Sequence, residues 1–216
     1  MKKLGILLAL FVFTTNTFAQ PANKAKTILD DISKKTKAYT SISAKFIYKL
    51  ENKEQGMNES QEGSILLKGK KYRIKVAGQE LISDAKSVWT YLKDANEVQV
   101  NKYEENTKEG AISPSNIFTI YEKGFKFKWE KEEKEGNTIF DIITLVPDDP
   151  KDKQYHSIRL KVDKKLGQIM EIKVNGKDGN NYTYKVLEFK TNLAIDDAQF
   201  TFDKTKYPKV EVIDLR

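Results

Sequence analysis

From residue 24 onward the chain is written in two periods. Ala25, Ile28, Leu29, Ile32, Thr36 and Tyr39 recur at the i, i+3, i+4 spacing that gathers side chains on one side of an α-helix, with Lys24, Lys26, Lys34, Lys35 and Lys37 opposite. The period then drops to two: Ile42, Ala44, Phe46, Tyr48 and Leu50 alternate with Ser43, Lys45, Ile47 and Lys49, as on a strand with one buried face. The same alternation predicts strands over 63–68, 71–76, 81–83, 87–92 and 97–103. Short segments holding Gly69, Gly78, Asp84 and Asn96 separate them at the spacing of an antiparallel meander. Residues 113–121 interrupt the meander. Ser113 as a helix cap and Pro114 at the first helical position, where its missing N–H is harmless, predict a short apolar helix. Strands then resume. Phe125, Phe127 and Trp129 alternate with lysines, and runs at 138–146, 157–162, 168–174 and 182–189 follow, the last two joined by a tight turn at Asn175-Gly176 and Asp178-Gly179.

No internal repeat or low-complexity linker divides this pattern, so one domain over 20–216 is expected, with 148–155 a charged loop. The architecture read from it is mainly β (α+β). One N-terminal helix and one short internal helix have too little surface to cover so many strands unless the sheet curls and the helices close its mouth. A curled sheet with a lid leaves two readings for Phe46, Tyr72, Ile74, Trp89, Tyr91, Trp129 and Tyr184: filler of an ordinary barrel core, or lining of a hydrophobic cavity.

The first residues change the picture of where the chain works. Lys2 and Lys3 precede an almost wholly apolar run over 4–13, and Thr17, Phe18 and Ala19 supply the pattern of a cleavage site before Gln20. The run is too short to span a bilayer as an ordinary helix. Residues 1–19 are therefore expected to be a cleaved signal peptide, leaving a soluble exported domain. The chain has no cysteine, which excludes a lipid-bearing first residue, disulfides and thiolate chemistry. Its formal charge of +7 comes from lysines spread along the polar sides of strands, such as Lys71, Arg73 and Lys75, where they solvate the sheet and protect its edges. Attraction to an anionic membrane surface or an acidic partner is a second use of that charge. Nucleic-acid binding does not fit an exported chain.

Catalytic chemistry is missing from the pattern. His156 is the single histidine and sits beside a polar loop, so it reads as a surface imidazole. Asp148, Asp149 and Asp152 lack the ligand spacing of a calcium loop, and no phosphate-binding loop, nucleophile elbow or zinc-binding helix motif is present. The expectation is a non-enzyme without metal or cofactor, which recognises its ligand by apolar surface, such as acyl chains.

Ser83-Asp84-Ala85-Lys86-Ser87-Val88-Trp89-Thr90-Tyr91 resembles the Ser-Asp-Gly-Lys-x-hydrophobic-Trp-x-Tyr segment of the LolA family of periplasmic lipoprotein carriers, with Ala85 in place of glycine. The resemblance extends through the opening helix, the Ser-Ile-Ser-Ala-x-Phe pattern ending at Phe46, Glu62-Gly63 before a strand, the Pro114 segment and Asp197-Ala198-Gln199-Phe200-Thr201-Phe202. It implies an incomplete antiparallel β-barrel with a helical lid over a hydrophobic cavity. That cavity would take the acyl chains of lipoproteins from an inner-membrane lipoprotein-releasing ABC transporter and pass them to an outer-membrane receptor or the outer membrane itself. It implies a monomer in the periplasm. By position, the family's cavity and lid residues fall on Tyr72, Ile74, Trp89, Phe118 and Ile172; with Phe46 and Tyr91 these form the expected ligand-binding set, while Ile65 and Ile143 are assigned to ordinary sheet core. The arginine and proline that precede the Tyr72 strand in the family are replaced by Lys68-Gly69-Lys70-Lys71, so the arginine's gating role is not carried over. A lipid- or glycolipid-binding or lipoprotein-sensing module of the same fold is the alternative.

Overall fold

The computed structural model describes residues 21–104 and 113–216. The segment expected to be a signal peptide lies outside them. An α-helix, α1 (Pro21–Lys37), is followed by β1 (Ile42–Asn52), β2 (Met57–Lys68), β3 (Lys71–Val76), β4 (Gln79–Ser83), β5 (Ser87–Leu92) and β6 (Glu97–Lys102). After residues 113–122 come β7 (Phe125–Glu135), β8 (Thr138–Pro147), β9 (Tyr155–Asp163), β10 (Gln168–Gly176), β11 (Asn181–Thr191) and β12 (Glu211–Asp214). Among the described residues these twelve strands form one sheet in the order β12-β6-β5-β4-β3-β2-β1-β11-β10-β9-β8-β7, and its edge strands β12 and β7 are not paired with each other, so the barrel is incomplete. Every pairing is antiparallel except β12 with β6.

Local chemistry sets the turns and the curl. Ala77 and Gly78 both take positive φ, 52° and 73°, the mirror-image turn whose twist suits a two-residue hairpin. Register shifts at Lys45/Phe46 on β1, Ile169/Glu171 on β10 and Trp129/Lys131 on β7 bend the strands that carry them. One face of the sheet, here the inner face, carries Ala44, Phe46, Ile74, Ile143, Leu160 and Ile172. Against it α1 buries Ala25, Leu29 and Ile32, and basic residues Lys34, Lys35 and Lys37 fall in the last turn of the helix, where its dipole favours them. Lys24 lies 3.5 Å from the Trp129 ring centre, and Asp141 accepts the Trp129 indole N–H at 2.7 Å, which anchors the helix start to β7 and β8.

The segment expected to form an apolar helix is instead a chain of turns ending in a 3-10 turn, Ile120–Glu122. Asn116 Oδ1 accepts the Ser113 N–H at 2.8 Å. Asn116, Thr119 and Glu122 then each donate to the carbonyl three residues back. Successive i→i+3 closures stand here in place of an i→i+4 ladder. The segment still buries Phe118, Ile120 and Tyr121, and Glu122 joins it to α1 through Ser33 at 2.5 Å and Lys37 at 2.8 Å.

The outer face of β3–β6 is covered by residues 193–210. Phe200 is fully buried there, Arg73 donates to the Gln199 carbonyl at 2.8 Å, and Asp197 pairs with Lys68 and Lys71 at 2.8 and 2.5 Å.

Candidate functional site

Between the inner face of β1–β4, β10 and β11 and the turns over 113–118 lies a cavity of about 240 Å³. Alternation on the strands supplies its floor and walls: Ala44 and Phe46 from β1, Ile65 from β2, Ile74 and Val76 from β3, Leu81 from β4. Ile172, Tyr184 and Val186 form the opposite wall, and Ser113, Pro114, Ile117 and Phe118 form the roof. The side chains are apolar apart from the Ser113 hydroxyl and the Tyr184 phenol, whose pKa is pushed up to about 12 by desolvation. Such a space offers dispersion contacts and exclusion of water without a directional polar anchor, which suits hydrocarbon.

Registers decide which expected site residues meet here. Ile74 faces Ile65 on β2 and Leu81 on β4, and Phe46 faces Gly63, so Phe46, Ile74, Phe118 and Ile172 converge on the cavity. Tyr72 shares their face and is buried in the same cluster with Ile42, Leu67 and Phe118, but it does not line the space; burial raises its phenol pKa, and Ser83 is its hydrogen-bond partner. Trp89 and Tyr91 stand on the other face. Trp89 is opposite Ile82 and Val100, and Tyr91 is opposite Glu80, so both rings point toward the 193–210 segment, where Tyr91 meets Tyr207 at a ring distance of 4.6 Å. They do not line the cavity. The i, i+2 spacing correctly places the two rings together on a strand, but it carries no information about which face is roofed by which segment. Ile65, assigned from sequence to ordinary core, lines the cavity, whereas Ile143 is fully buried beneath α1. Ala44, Val76, Leu81 and Val186 were not among the expected site residues. Their alternation with polar neighbours was the available signal.

Lys68 and Lys71, which stand where the resemblance has arginine and proline, are engaged with Asp197 rather than with the cavity. A larger surface hollow of about 470 Å³ carries Lys45, Gln61, Glu62, Lys75 and Lys93; its charged rim does not match an apolar ligand. His156 is exposed on β9, and among the described residues no three His, Asp or Glu side chains converge as a metal set.

A family model described as "Outer membrane lipoprotein carrier protein LolA" matches residues 37–203, from the end of α1 to the segment that covers the outer face. An outer-membrane lipoprotein carrier protein of Pseudomonas paraeruginosa is 29% identical over 136 residues, which is 62% of this chain and 61% of the relative. The chain thus spans about three fifths of that relative's length. Among solved structures, an uncharacterized conserved protein of Thermus thermophilus superposes with a TM-score of 0.57 at 14% identity, over 88% of this chain and 99% of that one. A DUF1329 family protein of Desulfovibrio piger does so with a TM-score of 0.50 at 11% identity, over 87% and 99%. These two likenesses concern the fold.

Proposed function

Since the chain belongs to the LolA family of outer membrane lipoprotein carriers, we propose that it is a periplasmic carrier which holds lipoprotein acyl chains in the cavity beneath Phe118 and moves them from the inner to the outer membrane. The observation that carries this reading is the cavity itself: an apolar chamber at the centre of an unclosed sheet, roofed by a short turn segment rather than by a packed helix. Hydrocarbon leaving one membrane needs continuous shelter from water, and each buried methylene is stabilised by about 0.8 kcal/mol. Phe46, Ile74, Phe118 and Ile172 supply that shelter in this reading. The donor would be an inner-membrane lipoprotein-releasing transporter, and the acceptor an outer-membrane receptor or the membrane itself. Roof turns closed by single i→i+3 bonds give the chamber a part that can open without unfolding the sheet.

An environment-sensitive fluorescent fatty acid should bind one-to-one and be displaced by an acylated lipoprotein N-terminal peptide but not by the same peptide without its acyl chains. Ile74→Glu and Phe118→Glu should weaken the probe at least roughly ten-fold while keeping a cooperative melt, because a carboxylate facing the chamber reaches water when the roof opens. Ile143→Glu leaves an unpaired charge in a dry core and should unfold the domain. Equal competition by the unacylated peptide, or normal probe binding by both chamber variants, would overturn the reading.

A further inference from the structure

The chamber under Phe118 has a neighbour. A second cavity, also of about 240 Å³, lies between the ends of β9, β10 and β11 and is lined by Tyr155, Val174, Gly176, Tyr182 and Tyr184, with Gln154 at its side. Among the described lining residues Tyr184 is the one common to both spaces. Its ring is edge-on to Phe46, which lines the first space, at 5.9 Å, and tilted against Tyr48 at 5.5 Å. Tyr48 in turn lies over Tyr182 at 6.5 Å with an interplanar angle of 23°. Aromatic contacts of this kind are individually weak, so a change of side-chain rotamer at Tyr184 stays within reach of thermal motion.

Volume gives the arrangement a meaning. Ligand pockets usually span about 300–1,000 Å³. Each chamber alone falls short of that range, and the two joined fall inside it. The second chamber is also chemically suited to the end of a hydrocarbon chain. Tyr155 is buried and stacked on Phe125 at 6.4 Å, and Val174 is buried beside it. We propose that Tyr184 is a hinged partition and that the chamber beyond it is a second acyl compartment, which takes the distal end of chains too long for the first; this rests on the acyl-carrier reading above. A chain that fits the first chamber would leave the ring in place. A longer chain would displace it toward Tyr48 and run on beneath Tyr182. Chain-length preference would then be set at the far side of Tyr184 and not at the roof.

The test displaces anilinonaphthalene sulfonate with octanoate and with hexadecanoate from the full mature chain and two variants. Val174→Phe and Tyr182→Trp fill the second chamber from β10 and from β11, at residues that do not line the first chamber; melts establish that each variant is folded. The expected result is a clear preference of the wild type for hexadecanoate. Both variants should weaken hexadecanoate at least roughly ten-fold, the effect of about two methylenes left unburied, while octanoate stays within about two-fold of wild type. If a folded variant of either kind binds both chains as wild type does, or loses both alike, the partition is wrong and the carrier reading stands. If the wild type binds neither chain, the carrier reading falls and takes the partition with it.

Discussion

Gly63 shows how much of the site hangs on one missing side chain. A Cβ there would sit 2.4 and 2.5 Å from two Phe46 ring atoms and 3.1 Å from the Lys75 carbonyl, because Phe46 on β1 lies directly across the strand pair from Gly63 on β2. The ring crosses the glycine and from there lines the cavity. Gly63→Ala must therefore swing Phe46, at a cost of about 1–3 kcal/mol typical of overpacking, and should lower fatty-acid probe affinity several-fold. Adding Phe46→Leu should recover part of the stability, since the two changes act on one contact. Urea melts and probe titrations of the two single variants and the double variant check this; additive losses would mean that the contact does not control the site. Ala85 is a contrasting case. It holds the positive φ, 70°, that glycine would take at no steric cost, and the turn is kept by its neighbours: Asp84 accepts the N–H groups of Lys86 and Ser87, and Ser83 donates to the Ser87 carbonyl. The glycine and the substituted turn are both visible in the sequence. What each does depends on a register or a hydrogen bond that only the fold supplies.

At the level of elements, the least legible part is the most consequential for the aromatic hairpin. Strands β1, β3, β5 and β6 and helix α1 follow from period alone, because a half-buried strand or helix must alternate to bury one side. The face taken by Trp89 and Tyr91 did not follow, because it is set by a segment more than a hundred residues later. That segment is pinned at Glu80. Arg73 Nε and the Tyr207 hydroxyl donate to Glu80 at 2.5 and 2.6 Å, with Lys75 at 3.3 Å. Burial pulls the Glu80 carboxyl up, but these hydrogen bonds and the charges of Arg73 and Lys75 outweigh it and hold the group below its ordinary value. Removing one member of such a buried cluster leaves the Arg73 charge uncompensated. Glu80→Ala should thus cost about 3 kcal/mol and loosen residues 193–210 from the outer face. Hydrogen exchange should show early loss of protection at Phe200 to Val210, while β8 and β9 stay protected. A uniform loss across the sheet would mean that the segment is not a separable cover. The 113–121 turns mark the other limit of sequence reading: cap, proline and apolar run all agree with a helix, as does the Asn116 side chain that accepts the Ser113 N–H, yet the backbone closes i→i+3 turns.

For the whole molecule, the titration pattern brackets stability on both sides. Glu133 is held down to about 2 by hydrogen bonds from Lys131 and Lys161, Asp197 to about 2 by Lys68 and Lys71, and Asp214 to about 2 by Arg216. A carboxyl whose folded value lies below its ordinary value contributes stability above the ordinary value and loses it as pH falls through the folded one. Asp197 and Asp214 are exposed and Glu133 is partly so, and all three pairs lie at the surface, so the acid limb should be shallow, beginning below about pH 5 and flattening further in salt, which screens surface pairs. The alkaline side is of another kind. Desolvation pushes Tyr155 and Tyr184 up to about 12, and desolvation together with the Glu80 hydrogen bond does the same for Tyr207, against an ordinary value of 10.0. A phenol raised in the folded state contributes stability that is complete below the ordinary value and disappears as pH climbs through the folded one, since the unfolded chain ionises first. Melting temperature should therefore be level from about pH 5 to about 9.5 and fall steeply above about pH 10. That upper limb should persist in salt, because it reflects burial rather than exposed charge pairs. Tyr184→Phe should make the upper limb shallower without moving the lower one. Melts at low and at high salt across this range, on wild type and Tyr184→Phe, decide the matter: an alkaline limb that salt abolishes, or that Tyr184→Phe leaves untouched, would mean that the cavity tyrosine is not shielded from water and that the chamber it walls stands open in solution.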